Sequence, residues 1–144
     1  LAREMFTFFS CKLSNLNKKC VFSHHIILCI DYIYYHLHEK ITIEILAEHV
    51  GLNPTYLSDL FKKEMNQTIS QYITSRRMEA AKNMLLYSDI SYAEIASVLA
   101  FSSQSYFTKV FRKTYGLTPK EYKDRFFRTE YLEVGFPALI NKKP

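Results

Sequence analysis

The chain has 144 residues, three glycines, four prolines and 48% hydrophobic residues, enough for one core and too little for two sizeable domains. So few glycines argue against phosphate-cradling loops, dinucleotide turns and multi-hairpin β folds, which need residues that tolerate positive φ, and so remove most nucleotide-dependent enzymes. Nineteen Lys and Arg against 14 Asp and Glu leave a net charge of +5, which favours a polyanionic partner if the charges cluster and is a solvated surface if they do not.

Residues 1–21 show no sustained period and read as a linker or the end of an upstream domain. From His24 to His38 the apolar positions Ile26, Ile30, Ile33 and Leu37 recur at steps of four, three and four, one face of a helix. Thr42 can cap a second helix from Ile43 to Val50, with Ile43, Leu46, Ala47 and Val50 inward, and Gly51 suits the left-handed residue that ends it. Asn53-Pro54 opens a third helix at once, because the proline's missing N–H costs nothing at the first helical position. That helix runs to about Met65 with Leu57, Leu60 and Phe61 inward. The longest helix is predicted over Ser70 to Leu86, carrying Tyr72, Ile73, Ala80, Ala81, Met84 and Leu85. Ser91 and Glu94 form a capping box, with Ile90 and Ile95 spaced as a hydrophobic staple, for a helix ending near Leu99. Ser102 is expected to cap the next, with Phe107, Val110 and Phe111 inward and Gly116 as its stop. Thr118-Pro119-Lys120-Glu121 is another capping box and opens a short last helix to about Phe126, leaving 127–144 as an irregular, partly docked tail.

Cys11, Cys20 and Cys29 are odd in number and nine residues apart, which fits neither a paired disulfide framework nor the short spacing of a zinc or redox site. A reducing, cytoplasmic compartment is expected, with no metal and no cofactor. His24 and His25 are adjacent, and His36 and His38 lie two apart, on different sides of a helix. No Ser/His/Asp or paired-carboxylate constellation emerges, so no enzyme is expected. The aliphatic run from Ile26 to Ile30 is far too short to span a membrane, and no charged-then-apolar signal segment opens the chain. Leu1 rather than Met comes first, which points to a portion of something longer.

Two segments match each other. Leu46-Ala47 with Val50-Gly51-Leu52 lies 49 residues before Ile95-Ala96 with Leu99-Ala100-Phe101. After one inserted residue the offset becomes 50: Tyr56-Leu57, Phe61-Lys62-Lys63, Thr68 and Tyr72 answer Tyr106-Phe107, Phe111-Arg112-Lys113, Thr118 and Tyr122. Each unit is a short helix, a tight turn and a second helix with an outward polar face, the sequence form of a helix-turn-helix. The stretch from Ile43 to Arg125 resembles the DNA-binding domain of the AraC/XylS family of bacterial transcription regulators. Most of the resemblance lies in Ile95-Ala96, Phe101, Ser105-Tyr106-Phe107, Phe111-Arg112-Lys113, Gly116, Thr118-Pro119 and Tyr122. It implies an all-α fold of about seven helices, with two helix-turn-helix subdomains over 22–126 joined by the long helix. Where the family usually has glycine before the phenylalanine of the second turn, this chain has Ala100, so that turn is expected to be strained or reshaped.

The resemblance makes the second helix of each unit a recognition helix. Base edges are read by hydrogen bonds, and phosphates by Lys, Arg and small hydroxyls. The first offers Pro54, Thr55, Ser58, Asp59 and Lys62, and the second Ser103, Gln104, Thr108, Lys109, Arg112 and Lys113. Gln104 suits adenine and Lys109 suits guanine, whereas Arg112 and Lys113, further along, suit phosphate. Asp59 has two readings, an intrahelical pair with Lys62 or Lys63 and a hydrogen bond from a cytosine amino group. From Gln104 to Arg128 seven basic residues stand against two acids, while Glu39, Glu44 and Glu48 outnumber Lys40 earlier. Arg76 and Arg77 are candidates for phosphate, Arg77 equally for holding the subdomains together. Tyr56 and Tyr106 read as core packing with a wet hydroxyl. A long helix of about 17 residues spans roughly 25 Å, so that, with the offsets of the recognition helices added, one chain can reach adjacent major grooves about 34 Å apart.

The implied function is sequence-specific binding of double-stranded DNA in transcription regulation, activation more than repression. RNA polymerase is the implied partner, and a sensor or dimerisation domain lies upstream. Two alternatives stay open: a helical module whose basic face binds an acidic protein, and the DNA-tethering part of an enzyme.

Overall fold

The computed structural model describes residues 21–133, with side chains to residue 127. Seven helices follow in order: α1 (His24–Tyr35), α2 (Ile43–Val50), α3 (Pro54–Met65), α4 (Ile69–Tyr87), α5 (Tyr92–Val98), α6 (Gln104–Tyr115) and α7 (Pro119–Glu133). Among the described residues there is no strand, as expected of an all-α fold. The readings of residues 1–20 and 134–144 lie outside the described residues.

The N-terminal caps form where local chemistry puts them. The Thr42 hydroxyl accepts from the Ile45 N–H at 3.4 Å, and the Asn53 side chain accepts from the Thr55 N–H at 2.9 Å with Pro54 following. Both halves of the Ser91/Glu94 and Thr118/Glu121 boxes are made, although Ile90, the expected staple, stays exposed. Two starts differ. Thr68, not a residue beside Ser70, caps α4 through a capping box with Gln71, so the helix begins at Ile69. Ser103 rather than Ser102 caps α6, its hydroxyl accepting from the Tyr106 N–H at 3.1 Å.

Two ends differ as well. α1 stops at Tyr35 because His36 leaves helical geometry, its ring nitrogen 2.8 Å from the Tyr32 carbonyl. Leu37, in the turn beyond, still packs on the core and so prolongs the apolar spacing past the helix. α7 continues to Glu133 beyond the expected Phe126, since no glycine or proline interrupts the chain before Gly135.

The core has two parts, and α4 belongs to both. Its first two turns give Ile69, Tyr72 and Ile73 to a cluster with Ile26, Cys29, Ile33, Leu46, Leu57 and Phe61. Further along it gives Met78, Ala81 and Leu85 to a second cluster with Ile95, Leu99, Phe107 and Phe111. Matching phenylalanines, Phe61 and Phe111, are wholly buried, one edge-on to Tyr72 at 5.6 Å and the other edge-on to Tyr122 at 5.5 Å. Each buries enough apolar surface that truncation to alanine costs about 3–5 kcal/mol. With 19 residues at about 1.5 Å each, α4 is roughly 28 Å long and carries both clusters in succession.

Candidate nucleic-acid interface

The turn before each second helix begins in the same way, although the second is one residue longer before its helix starts. After α2, Gly51 has φ 71°, its N–H donating to the Glu48 carbonyl at 3.3 Å and that of Leu52 to Ala47 at 2.9 Å. After α5, Ala100 has φ 54°, its N–H donating to Ser97 at 3.1 Å and that of Phe101 to Ala96 at 2.9 Å. Every donor and acceptor is displaced by the repeat offset. Of the two outcomes expected at Ala100, strain is the one found, and the turn is not rebuilt.

From these turns α3 and α6 emerge with one face committed to packing. Leu57 and Phe61, with half-buried Leu60, hold α3 down; Phe107 and Phe111, with half-buried Val110, hold α6. What remains outside is polar. On α3, Thr55, Asp59, Lys62 and Lys63 are exposed, and Pro54 and Ser58 half-buried. At and along α6, Ser103, Gln104, Ser105, Lys109, Arg112 and Lys113 are exposed, and Thr108 half-buried. Ser103 also spends its oxygen on the cap. The fold thus brings the candidate residues onto two equivalent faces.

Tyr56 and Tyr106 do not pack as expected: they are 58% and 52% exposed. Each precedes an inward residue, Leu57 or Phe107, and one helical step of about 100° carries the ring off the buried face. They join the candidate surface at matching positions. The helical spacing itself was the available signal.

Asp59 makes no ion pair with Lys62 or Lys63 among the described residues, and Lys109, Arg112 and Lys113 likewise have no carboxylate within salt-bridge distance. The basic surface around α6 and α7 is therefore unpaired at Lys109 and Lys113, while Arg112 lies near enough to Glu121 to help lower its carboxyl. Lys123 is used inside the fold, its ammonium 3.4 Å from the Ser88 carbonyl and 4.0 Å from Asp89. Glu44 and Glu48 are exposed on α2, and hydrogen bonding from its own backbone N–H and then Thr42 holds the Glu44 carboxyl below the usual range.

Both arginines of α4 are engaged within the protein. The Arg77 guanidinium donates to the Leu37 carbonyl at 3.1 Å and the Glu39 carbonyl at 2.7 Å, and lies 5.9 Å from the centre of the Phe101 ring. It therefore ties the segment that follows α1 to the second turn, the holding role among its two readings. Arg76 pairs with Glu79 at 3.0 Å and lies over Tyr72.

Residues 46–125, more than half of the chain, match the family described as Helix-turn-helix domain. The C-terminal domain of the two-component response regulator yesN from Fusobacterium nucleatum is 33% identical, with a TM-score of 0.67 over 70% of this chain and 99% of that one. The chain belongs to the AraC/XylS-type helix-turn-helix family. Regulatory protein PocR of Salmonella typhimurium is 44% identical to this AraC/XylS-type domain over 94 residues, 65% of this chain and 31% of PocR. The xylose operon regulatory protein of Escherichia coli is 33% identical over 99 residues, 69% of this chain and 25% of that protein. These relatives are regulatory proteins rather than enzymes, and the chain spans a third or less of their length. No helix among the described residues is long and apolar enough to cross a membrane.

Proposed function

We propose that this chain is the DNA-binding part of a cytoplasmic transcription regulator, an activator more than a repressor, that reads one duplex site with two helices. One observation carries the reading: a left-handed residue and the same two backbone hydrogen bonds close both first helices, and α3 and α6 follow with their polar faces outward. A 19-residue α4 of roughly 28 Å, with the offsets of the two helices added, fits the spacing of about 34 Å between successive major-groove faces. Pro54, Thr55, Ser58, Asp59 and Lys62 then meet one groove, and Ser103, Gln104, Thr108 and Lys109 the next. Arg112 and Lys113 meet phosphate at the end of α6. Effector sensing or dimerisation belongs to a part outside this chain, and an activator's partner is RNA polymerase.

Selection from randomised duplexes followed by footprinting tests this. The expected product is one motif with two protected blocks about one helical turn apart and binding that weakens steeply with salt. Salt-sensitive binding without discrimination between sequences, or protection of a single groove, refutes it and favours an acidic protein as the partner of the basic face.

A further inference from the structure

The repeat equates the outer faces of α3 and α6 residue by residue, and most of the pairs agree in chemistry. At the offset of 50, Thr55 answers Ser105, Tyr56 answers Tyr106, Ser58 answers Thr108, Lys62 answers Arg112 and Lys63 answers Lys113. Three pairs break the pattern: Pro54 with Gln104, Glu64 with Thr114, where Glu64 is half-buried and accepts from the Ser23 N–H at 2.8 Å, and Asp59 with Lys109, which alone inverts charge. Both of its members are exposed, and neither is neutralised within the described residues, although Asp59 has lysines at the third and fourth positions beyond it. An uncompensated carboxylate on a face meant for a polyanion is unfavourable unless the duplex supplies a donor.

We propose that Asp59 and Lys109 decide which helix takes which half of the site, Asp59 accepting from a cytosine amino group and Lys109 donating to guanine. The inference rests on the two-groove reading above. A carboxylate only accepts and an ammonium only donates. In the major groove the amino donors belong to cytosine and adenine; adenine's amino group has an acceptor on either side, its own N7 and the paired thymine O4, whereas cytosine's has one, the O6 of its paired guanine, so cytosine repels a carboxylate less. Guanine presents two adjacent acceptors, the best target for an ammonium. If α3 docks in the half meant for α6, acceptor meets acceptor, and in the converse case donor meets donor. Mismatch of this kind separates two otherwise similar arrangements by repulsion as much as by attraction. Of the outer pairs, only 59/109 sets opposite charges at equivalent positions, so it carries the charge asymmetry between the halves.

The test compares base preferences of the wild type, Asp59→Lys, and the exchange variant Asp59→Lys/Lys109→Asp across a duplex library. The wild type is expected to prefer cytosine at one position of the α3 block and guanine at the equivalent position of the α6 block, each by roughly tenfold over other bases. Asp59→Lys should turn both positions to guanine, and the exchange variant should swap the two preferences between blocks. Thermal unfolding of the variants checks that these exposed changes leave the fold intact. Unchanged preferences in the exchange variant, or a general change in affinity without a swap, overturns the inference while leaving the two-groove reading in place. Failure of the wild type to select a two-block motif overturns both.

Discussion

Ala100 holds a left-handed backbone, φ 54°, at a position whose counterpart in the first unit is Gly51, φ 71°. For a residue with a Cβ this conformation costs about 1–2 kcal/mol, because the Cβ crowds the neighbouring carbonyl. Ala100→Gly removes that crowding but lets the unfolded chain wander more, which takes back about 0.4–1 kcal/mol. The net expectation is a gain of roughly 0.5–1 kcal/mol, or a rise of about 2–4 °C in Tm for a domain of this size. Gly51→Ala is the mirror experiment. A Cβ built there meets nothing within 4 Å, so the substitution adds strain without a clash and should cost about 1 kcal/mol. Thermal unfolding followed by circular dichroism measures both. Opposite signs of similar size are required; a lower Tm for Ala100→Gly, or an unchanged one for Gly51→Ala, refutes the assignment of strain to this single torsion.

Arg112→Ala and Lys113→Ala should weaken binding to all duplexes about equally and each lower the salt slope by roughly one, so selective loss at one base pair would contradict a phosphate role. Arg77→Ala removes two charge-assisted hydrogen bonds to carbonyls and should cost about 2 kcal/mol in urea unfolding, with Arg77→Lys recovering only part because it lacks the planar fork. The Glu94 and Glu121 carboxyls lie below the usual 4.5, held there first by the backbone N–H of Ser91 and Thr118 and then by their hydroxyls. Their stabilisation is complete above the ordinary carboxylate range and fades as pH falls through the lowered values, so the Ser91→Ala/Thr118→Ala variant should lose stability less steeply than the wild type on acidification. Denaturant titrations over roughly pH 3 to 6 would show the difference. Burial pushes the Cys29 thiol up to about 11, so with Cys11 and Cys20 replaced by serine the native protein should resist alkylation at neutral pH and react once unfolded.

Helix starts were legible because a cap is a local event. Thr42, Asn53, Ser91 and Thr118 satisfy N–H groups two or three residues away, and nothing distant is needed to find them. Ends depend on what lies beyond. Leu37 keeps the apolar spacing from a turn, so periodicity alone overran α1, whereas α7 passes Phe126 without any breaker to mark where it stops. Ser102 and Ser103 are equally able to cap, and the choice between them is made by how α6 must rotate to bury Phe107 and Phe111. Among the site residues, exposure followed from the buried stripe, but the solitude of Asp59 did not: whether a surface carboxylate meets a lysine one turn on is a matter of rotamers worth only about 0.2–0.5 kcal/mol.

The repeat supplied what a single copy could not. Thr68 matches Thr118, and the capping box of the second start recurs at the first, where glutamine replaces glutamate. Positions at which the copies agree and are buried, Ala47 with Ala96 and Phe61 with Phe111, belong to the fold that both must keep. The turns and exits show the same demand met by different residues. The first unit uses Gly51 and Asn66 at its left-handed positions and the second uses Ala100 and Gly116. Asparagine tolerates that region and alanine does not, so strain is concentrated in the second unit, just ahead of α6. Positions where the copies disagree on an exposed face are under no such demand. The charge inversion there, at Asp59 and Lys109, is not set by packing, capping or pairing, so the exchange variant changes what the two faces offer a partner without touching what holds the fold.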